Sequence, residues 1–361
     1  RVEWRNAWKE DLLRLLSNAD AVASKEYEVR EFLYEELKDA CDDISYDHLG
    51  SMLFHDKGSE KDGVKLMFAA HMDEVGFLVR HISDIGFVYL IALGGVLDKS
   101  KEMQKVRITT AEGKKVQGIL NVTKNEQGAV KEMYVDVGCD TREEVEALGV
   151  AIGDMVCFAS DCDILNRDAI IAGKAMDDRS GCYVIAEALK QLHACGHRCD
   201  LYMAATSSEE VGVRGGKTAT YQIDPDIVFA IDVANNPELV KNYTNHRQIG
   251  KGCMIVHYDK TMAPNAKLLQ FVKDTASKHG IPYQCDMFSG GGTDAGNAHL
   301  TRNGKLAIVI GIPLRYCHGA WSLVHQKDLE HAIALVRELA LAIDKKRYET
   351  FIDFQGGKKY E

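Results

Sequence analysis

Three apolar runs in this 361-residue chain each end on a residue able to hold a metal ion or a proton. "VKLMFAAH" (64–71) closes on His71, "DLYMAATSSEE" (200–210) on Glu209 and Glu210, and "DIVFAID" (226–232) on Asp232. Near-continuous apolar runs of this length suit strands buried on both faces of a parallel sheet. Apolar residues returning at three- and four-residue steps predict helices over 25–40, 179–195, 264–279 and 328–346. Strand alternating with helix is the signature of an α/β layer fold, so a mixed, largely parallel sheet flanked by helices is expected. Ligands of such sheets bind outside the carboxyl ends of the strands. That rule gathers His71, Glu209, Glu210 and Asp232 on one edge.

Between His71 and about residue 163 the pattern changes. "GFLVRHI", "GFVYLIAL", "KVRITT", "KKVQGILNV" and "EMYVDVG" alternate or are β-branched, with glycine turns between them, and only "TREEVEALG" (141–149) has helical spacing. The expectation is a small, β-barrel-like domain over 73–163, inserted into an α/β catalytic domain made of 1–72 and 164–361. Five prolines are too few for a Pro-rich linker.

Charge and composition narrow the partners. A net charge of −10 with no concentrated basic face argues against nucleic acid. No apolar segment reaches the roughly 18 residues of a membrane span. The N-terminal "RVEWRNAWKEDLLRLL" is charged and amphipathic, unlike a secretory leader, so the ten scattered cysteines are expected to be reduced thiols of a cytoplasmic protein. The chain starts on Arg1 rather than Met, so native residues are expected before it.

Further acids and histidines join the strand-end set: Asp73 in "AAHMDEVG", Asp177 and Asp178 in "GKAMDDRSG", and His318 in "RYCHGAW". Each alone has a plain structural reading, such as a helix cap for the Asp pair. Two imidazoles and several carboxylates on one edge would repel strongly without cations. A mixed His and carboxylate set suits Zn²⁺, Co²⁺ or Mn²⁺. One carboxylate can bridge two ions about 3.5–4 Å apart. The doublet then has a division of labour: one glutamate binds metal while its neighbour, not a ligand, moves the proton.

These segments resemble the M42 branch of the dinuclear-metal peptidases, the glutamyl or tetrahedral aminopeptidases. "AHMDEVG", "GKAMDDRSG", "SSEEVGVRGG", "AIDVA", "GGTDAG" and "RYCH" occur in the family's order and at similar separations, over about residues 10–346. The resemblance implies a metallo-aminopeptidase fold and two divalent ions per subunit, Zn²⁺ or Co²⁺. His71, Asp177 and Asp232 would hold one, and Asp177, Glu210 and His318 the other. Asp177 would bridge, with a cis peptide to Asp178. Glu209 matches the general base, and Asp73 would orient the His71 imidazole. It further implies short peptide substrates, Thr293 and Asp294 on the substrate wall, and a homo-oligomer, from dimer to dodecamer, assembled through the inserted domain, which could also act as a lid. After His318 the chain reads Gly-Ala-Trp where relatives continue with Ser, which marks the adjoining wall as different.

Other motifs carry less. "SGGGTDAG" (289–296) lacks the Gly-Lys-Ser/Thr ending of a phosphate cradle. "HACGHRC" (193–199) has two His and two Cys but no second cluster to complete a zinc tetrahedron, so a helix end and loop is expected. Without a G-x-S-x-G elbow a serine hydrolase has little support. A glycosidase needs carboxylates about 5 Å or more apart across a sugar bond, which sequence neighbours do not provide. A non-catalytic scaffold fits poorly with every proposed ligand being present. The expected activity is release of N-terminal residues from short peptides, with a deacylase or amidase acting on modified amino acids or sugars as the alternative.

Overall fold

The computed structural model describes residues 11–166, 169–235 and 247–355. Among these, eleven strands form one mixed sheet. Its centre runs Asp200–Thr206, Lys65–His71, Ile227–Asn235, Leu306–Arg315, all mutually parallel. Thr206 lies opposite His71 at the two strand ends, and Asp232 lies opposite Gly311 toward the carboxyl end of its own strand, so these residues fall on the same side of the sheet. Antiparallel strands flank this centre: Met52–Asp56 and Asp43–Tyr46 on one side, Ser322–His325, Ile170–Gly173 and Asp163–Ile164 on the other.

The central runs read as continuous because both their faces are covered. Leu66, Phe68 and Ala70 face a core shared with helices Met176–Cys195 and Gln326–Ala342, while Met67 and Ala69 pack into a second cluster on the opposite face. Phe68 and Phe229 stack with centroids 4.7 Å apart, tying the two strands that present His71 and Asp232. Each such ring removes enough apolar surface from water to contribute about 1.5–3 kcal/mol.

The helix expectations hold with one correction. Tyr27–Leu37, Met176–Cys195 and Ala266–Lys278 fall within or close to the expected spans. The pattern over 328–346 is instead two helices, Gln326–Ala342 and Lys345–Phe351, because Asp344 turns extended and accepts the Arg347 N–H as an N-cap. The Gly-rich 289–296 ends in a short helix, Asp294–His299, capped by Thr293. Helix Arg214–Ile223 was not legible from the pattern.

Six antiparallel strands, Gly76–Ile82, Phe87–Leu93, Gln104–Thr109, Lys115–Lys124, Val130–Asp136 and Met155–Phe158, close into a barrel with its own apolar interior. The last of them pairs with both the first and the third in chain order and so completes the closure. Arg142–Ala147 is the helix expected there. None of the ten cysteines is disulfide-bonded, and among the described residues no helix is long and apolar enough to cross a membrane.

Candidate metal centre and catalytic site

The strand ending at His71 continues into the loop that leads to the barrel, and that loop is pinned from behind. Arg179, fully buried, donates to the carbonyls of Met72 at 2.7 Å, Leu16 at 2.6 Å and Ala19 at 3.0 Å. Beside it Glu74 accepts from Lys174 Nζ at 2.6 Å and Arg179 Nη2 at 3.1 Å. Lys174 also reaches Asp20 at 3.0 Å, and Asp20 in turn holds Arg107 and Lys115 of the barrel. Asp20, Glu74 and Cys157 are close enough to suggest a cation site. The Lys174 ammonium already supplies the positive charge there, so this cluster is an ionic joint.

Asp177 and Asp178 are joined by a cis peptide and have non-helical dihedrals, so the regular helix begins after them. Gly181 lets that helix approach: a Cβ there would meet the Asp178 carboxylate at 2.3 Å and the Ile231 carbonyl at 2.5 Å. The two acids diverge in use. Asp178 accepts the N–H groups of His71 and Gly181, both at 3.1 Å. Asp177 presents each oxygen to a different imidazole: Oδ1 lies 3.0 Å from His71 Nε2 and Oδ2 lies 3.1 Å from His318 Nε2.

The glutamate doublet follows the end of strand Asp200–Thr206, in a turn with Ser208 in the left-handed region at φ 59°. Glu209 Oε2 stands 3.8 Å from His71 Nε2, and Glu210 Oε2 stands 3.5 Å from His318 Nε2. Asp232, three residues before the end of strand Ile227–Asn235, lies with His71 and Asp178 in one group of donor atoms within 4.8 Å. The structure thus brings together His71, Asp177, Glu209, Glu210, Asp232 and His318.

Asp73, Thr293 and Asp294 make contacts beyond those expected of them. The His71 Nδ1 hydrogen bond goes to the main-chain carbonyl of Asp73 at 2.9 Å, with the nearer carboxylate oxygen at 3.5 Å. The Asp73 carboxylate instead accepts the N–H groups of Glu209 at 2.9 Å and Glu210 at 3.1 Å. Asp294 is buried, with Oδ2 bonded to the Thr206 hydroxyl and Oδ1 to the Gly216 N–H, and the Thr293 hydroxyl caps the Ala295 N–H. Both thereby help to hold the strand end and the neighbouring helices in place. Asn245 and His246 lie outside the described residues, while Arg247 reaches Asp286 at 2.7 Å and the carbonyls of Asn235 and Met287.

Burial acts against charge throughout this cluster. It pushes Glu209 well above the ordinary carboxyl range, raises Asp232 to about 7, and with Asp177 beside it raises Glu210 to about 8. Asp177 goes the other way, because hydrogen bonds from His318 and His71 outweigh its burial. Burial alone would depress His71, but Glu209, Asp177 and Asp73 lift it well above its usual value. Glu210 Oε1 is buried with no hydrogen-bond partner, a costly state for a carboxylate oxygen. A donor set of imidazole and carboxylate, self-repelling and with one oxygen unsatisfied, fits divalent cations.

Residues that sequence reasoning missed hold this arrangement from outside it. Glu26 is buried and accepts from the Ser207 hydroxyl at 2.7 Å and the Ser208 N–H at 3.1 Å, fixing the turn before the doublet. Nothing near Glu26 in the sequence marks it. Arg179 and Lys174 at least flank the Asp pair.

Residues 50–335 match the M42 glutamyl aminopeptidase family. The chain belongs to the M42 peptidase family. It is 33% identical over 349 residues to the lysyl aminopeptidase of Pyrococcus furiosus, covering 94% of this chain and 96% of that one. The TET aminopeptidase of a marine sediment archaeon of the Thaumarchaeota superposes with a TM-score of 0.90 at 34% identity, over 94% of this chain and 98% of its own. The Pyrococcus horikoshii TET1 peptidase, which can assemble into a tetrahedron or a large octahedral shell, gives 0.82 at 26% identity, over 92% and 99%. This M42 chain is therefore a peptidase, a hydrolase, and the aminopeptidases of its family are metal-dependent.

Proposed function

We propose that the chain is a metal-dependent aminopeptidase that removes N-terminal residues from short peptides. The observation that carries this reading is the Asp177 carboxylate, each oxygen facing a different imidazole. His71, Asp177 and Asp232 would hold one divalent ion, and Asp177, Glu210 and His318 a second, with Zn²⁺ or Co²⁺ suited to these donors. When bound, such a pair supplies Lewis acidity toward a carbonyl and lowers the pKa of a shared water.

Glu209 is left to handle protons. Its main-chain N–H is fixed by Asp73, and its buried carboxyl favours accepting a proton and later giving it to the leaving amine. Asp178 orients rather than binds, because its oxygens serve the His71 and Gly181 N–H groups. Asp294 supports the strand end beneath the doublet.

Residues 73–163 would form the inserted domain within a catalytic unit of 1–72 and 164–361, serving assembly or closure over the site. The barrel's separate core supports this, as do exposed apolar side chains on it, Ile85, Met103 and Ile152 among them. With a relative that forms shells, these favour a homo-oligomer.

The test is an assay of chelated protein, with and without added Zn²⁺ or Co²⁺, on a panel of aminoacyl amides and their N-acetylated counterparts, with elemental analysis of the same samples. Two ions per chain and turnover of the free-amine series alone are expected. Metal-independent turnover would overturn the reading, and equal turnover of acetylated amides would replace the aminopeptidase with a deacylase.

A further inference from the structure

Cys317 precedes His318, and its Sγ lies 3.0 Å from Asp177 Oδ2. His318 Nε2 approaches that same oxygen at 3.1 Å. The three donor atoms all lie within 4.8 Å of one another. Consecutive residues of an extended segment point to opposite sides, yet here two neighbours converge on one carboxylate oxygen. The chain achieves this by placing Tyr316 at φ 61° and His318 at φ 58°, left-handed values that bulky side chains seldom adopt. Such backbone outliers concentrate at functional sites.

A second observation points independently to a ligand beside His318. The Glu210 side chain is only 6% exposed, its Oε2 is 3.5 Å from His318 Nε2, and its Oε1 has no hydrogen-bond partner. A buried carboxylate oxygen without a donor, on a side chain beside an imidazole that a second carboxylate shares, is satisfied by a cation.

We propose that Cys317 is a protein ligand to the cation held by Asp177, Glu210 and His318, and that it biases this position toward thiophilic divalent ions. The inference rests on the two-cation reading above. Thiolates favour softer ions, whereas carboxylates favour harder ones such as Mn²⁺. The other position, with His71, Asp177 and Asp232, offers only nitrogen and oxygen. The two positions are thereby chemically unequal, and soft ions fill the Cys317 side first. On coordination the S–H bond breaks, an S–metal bond forms, and the proton leaves to solvent, so no oxidant or reductant is required.

The test is optical titration of the full-length, metal-free protein with Co²⁺, followed by competition between Cd²⁺ and Mn²⁺. Wild-type protein is expected to develop intense near-ultraviolet thiolate-to-Co²⁺ absorption, complete at one equivalent per chain. Cys317→Ser keeps the visible Co²⁺ ligand-field bands but loses that absorption, and its preference for Cd²⁺ over Mn²⁺ falls by about tenfold or more. Cys182→Ala, which removes a thiol bonded at 3.2 Å to the His71 carbonyl, keeps the absorption. Ligand-field bands in wild-type protein without thiolate absorption would overturn the inference while leaving the two-cation reading intact. Wild-type protein that binds no Co²⁺ would overturn both. The wild-type spectrum decides even if a variant folds poorly.

Discussion

The Asp73 carboxylate accepts the main-chain N–H of Glu209 at 2.9 Å, and its second oxygen accepts that of Glu210 at 3.1 Å. One side chain on the loop after His71 thereby fixes the backbone of both glutamates, which follow the end of a different strand. Asp73→Asn keeps the shape but leaves one oxygen, and its amide nitrogen opposes the second N–H. The expected outcome is a loss of about 10–100-fold in kcat with metal content retained, checked by steady-state kinetics beside elemental analysis. Loss of both ions instead would show that Asp73 acts through His71.

Glu209 and Asp177 are expected to fail differently. Glu209→Gln retains both cations and the fold while kcat drops by about 10²–10⁴, the range for losing a positioned proton carrier. Asp177→Asn loses cations, because an amide cannot serve two positions as a carboxylate does. A fully active Glu209→Gln enzyme would end the proposed division of labour.

Glu74 is a stability residue beneath the site. It lies between Lys174 and Arg179, both fully buried. Removing one partner of a buried ion pair leaves charge uncompensated, so Glu74→Gln is expected to destabilise by about 3–5 kcal/mol. A lower urea midpoint at unchanged m-value measures it. A loss below about 1 kcal/mol would mean that the network contributes specificity rather than stability.

The pH dependence of stability is expected to come partly from the sheet's other edge. Asp56 accepts His193 Nδ1 on one oxygen and His197 Nε2 on the other, both at 2.9 Å, while His197 Nδ1 bonds the Cys199 carbonyl at 2.9 Å. Burial opposes a charged His197, but Asp56 outweighs it and raises the imidazole from 6.5 to about 10. A raised imidazole stabilises fully below its unfolded value of 6.5 and loses that contribution as pH climbs through about 10. Stability should therefore fall between about pH 7 and 10, by at most about 1.4 kcal/mol per pH unit, seen as a falling thermal midpoint. Asp56→Asn should flatten this slope, and identical slopes would remove His197 as its source.

The same cluster shows how far local pattern reaches. "HACGHRC" reads as a helix end and loop, and the helix does end at Cys195 with both histidines turned onto Asp56. The acid that organises them lies 137 residues from His193, so no spacing rule finds it. The strand that closes the expected barrel was hidden for a related reason: Met155–Phe158 is short and buried throughout, without the alternation that marked the others.

By itself the sequence determined the strands, the barrel texture and the kinds of residue at the strand ends, because burial on two faces and turn chemistry act over a few neighbours. It also carried the ordered motifs from which the family is recognisable. Only the tertiary structure decided that Asp177 divides its oxygens between His71 and His318, that Asp73 serves the glutamate backbone, and that Asp294 turns inward. Those choices depend on which distant donor arrives within about 3 Å of each oxygen, a distance set by how the sheet, the helix after Asp178 and the barrel pack together.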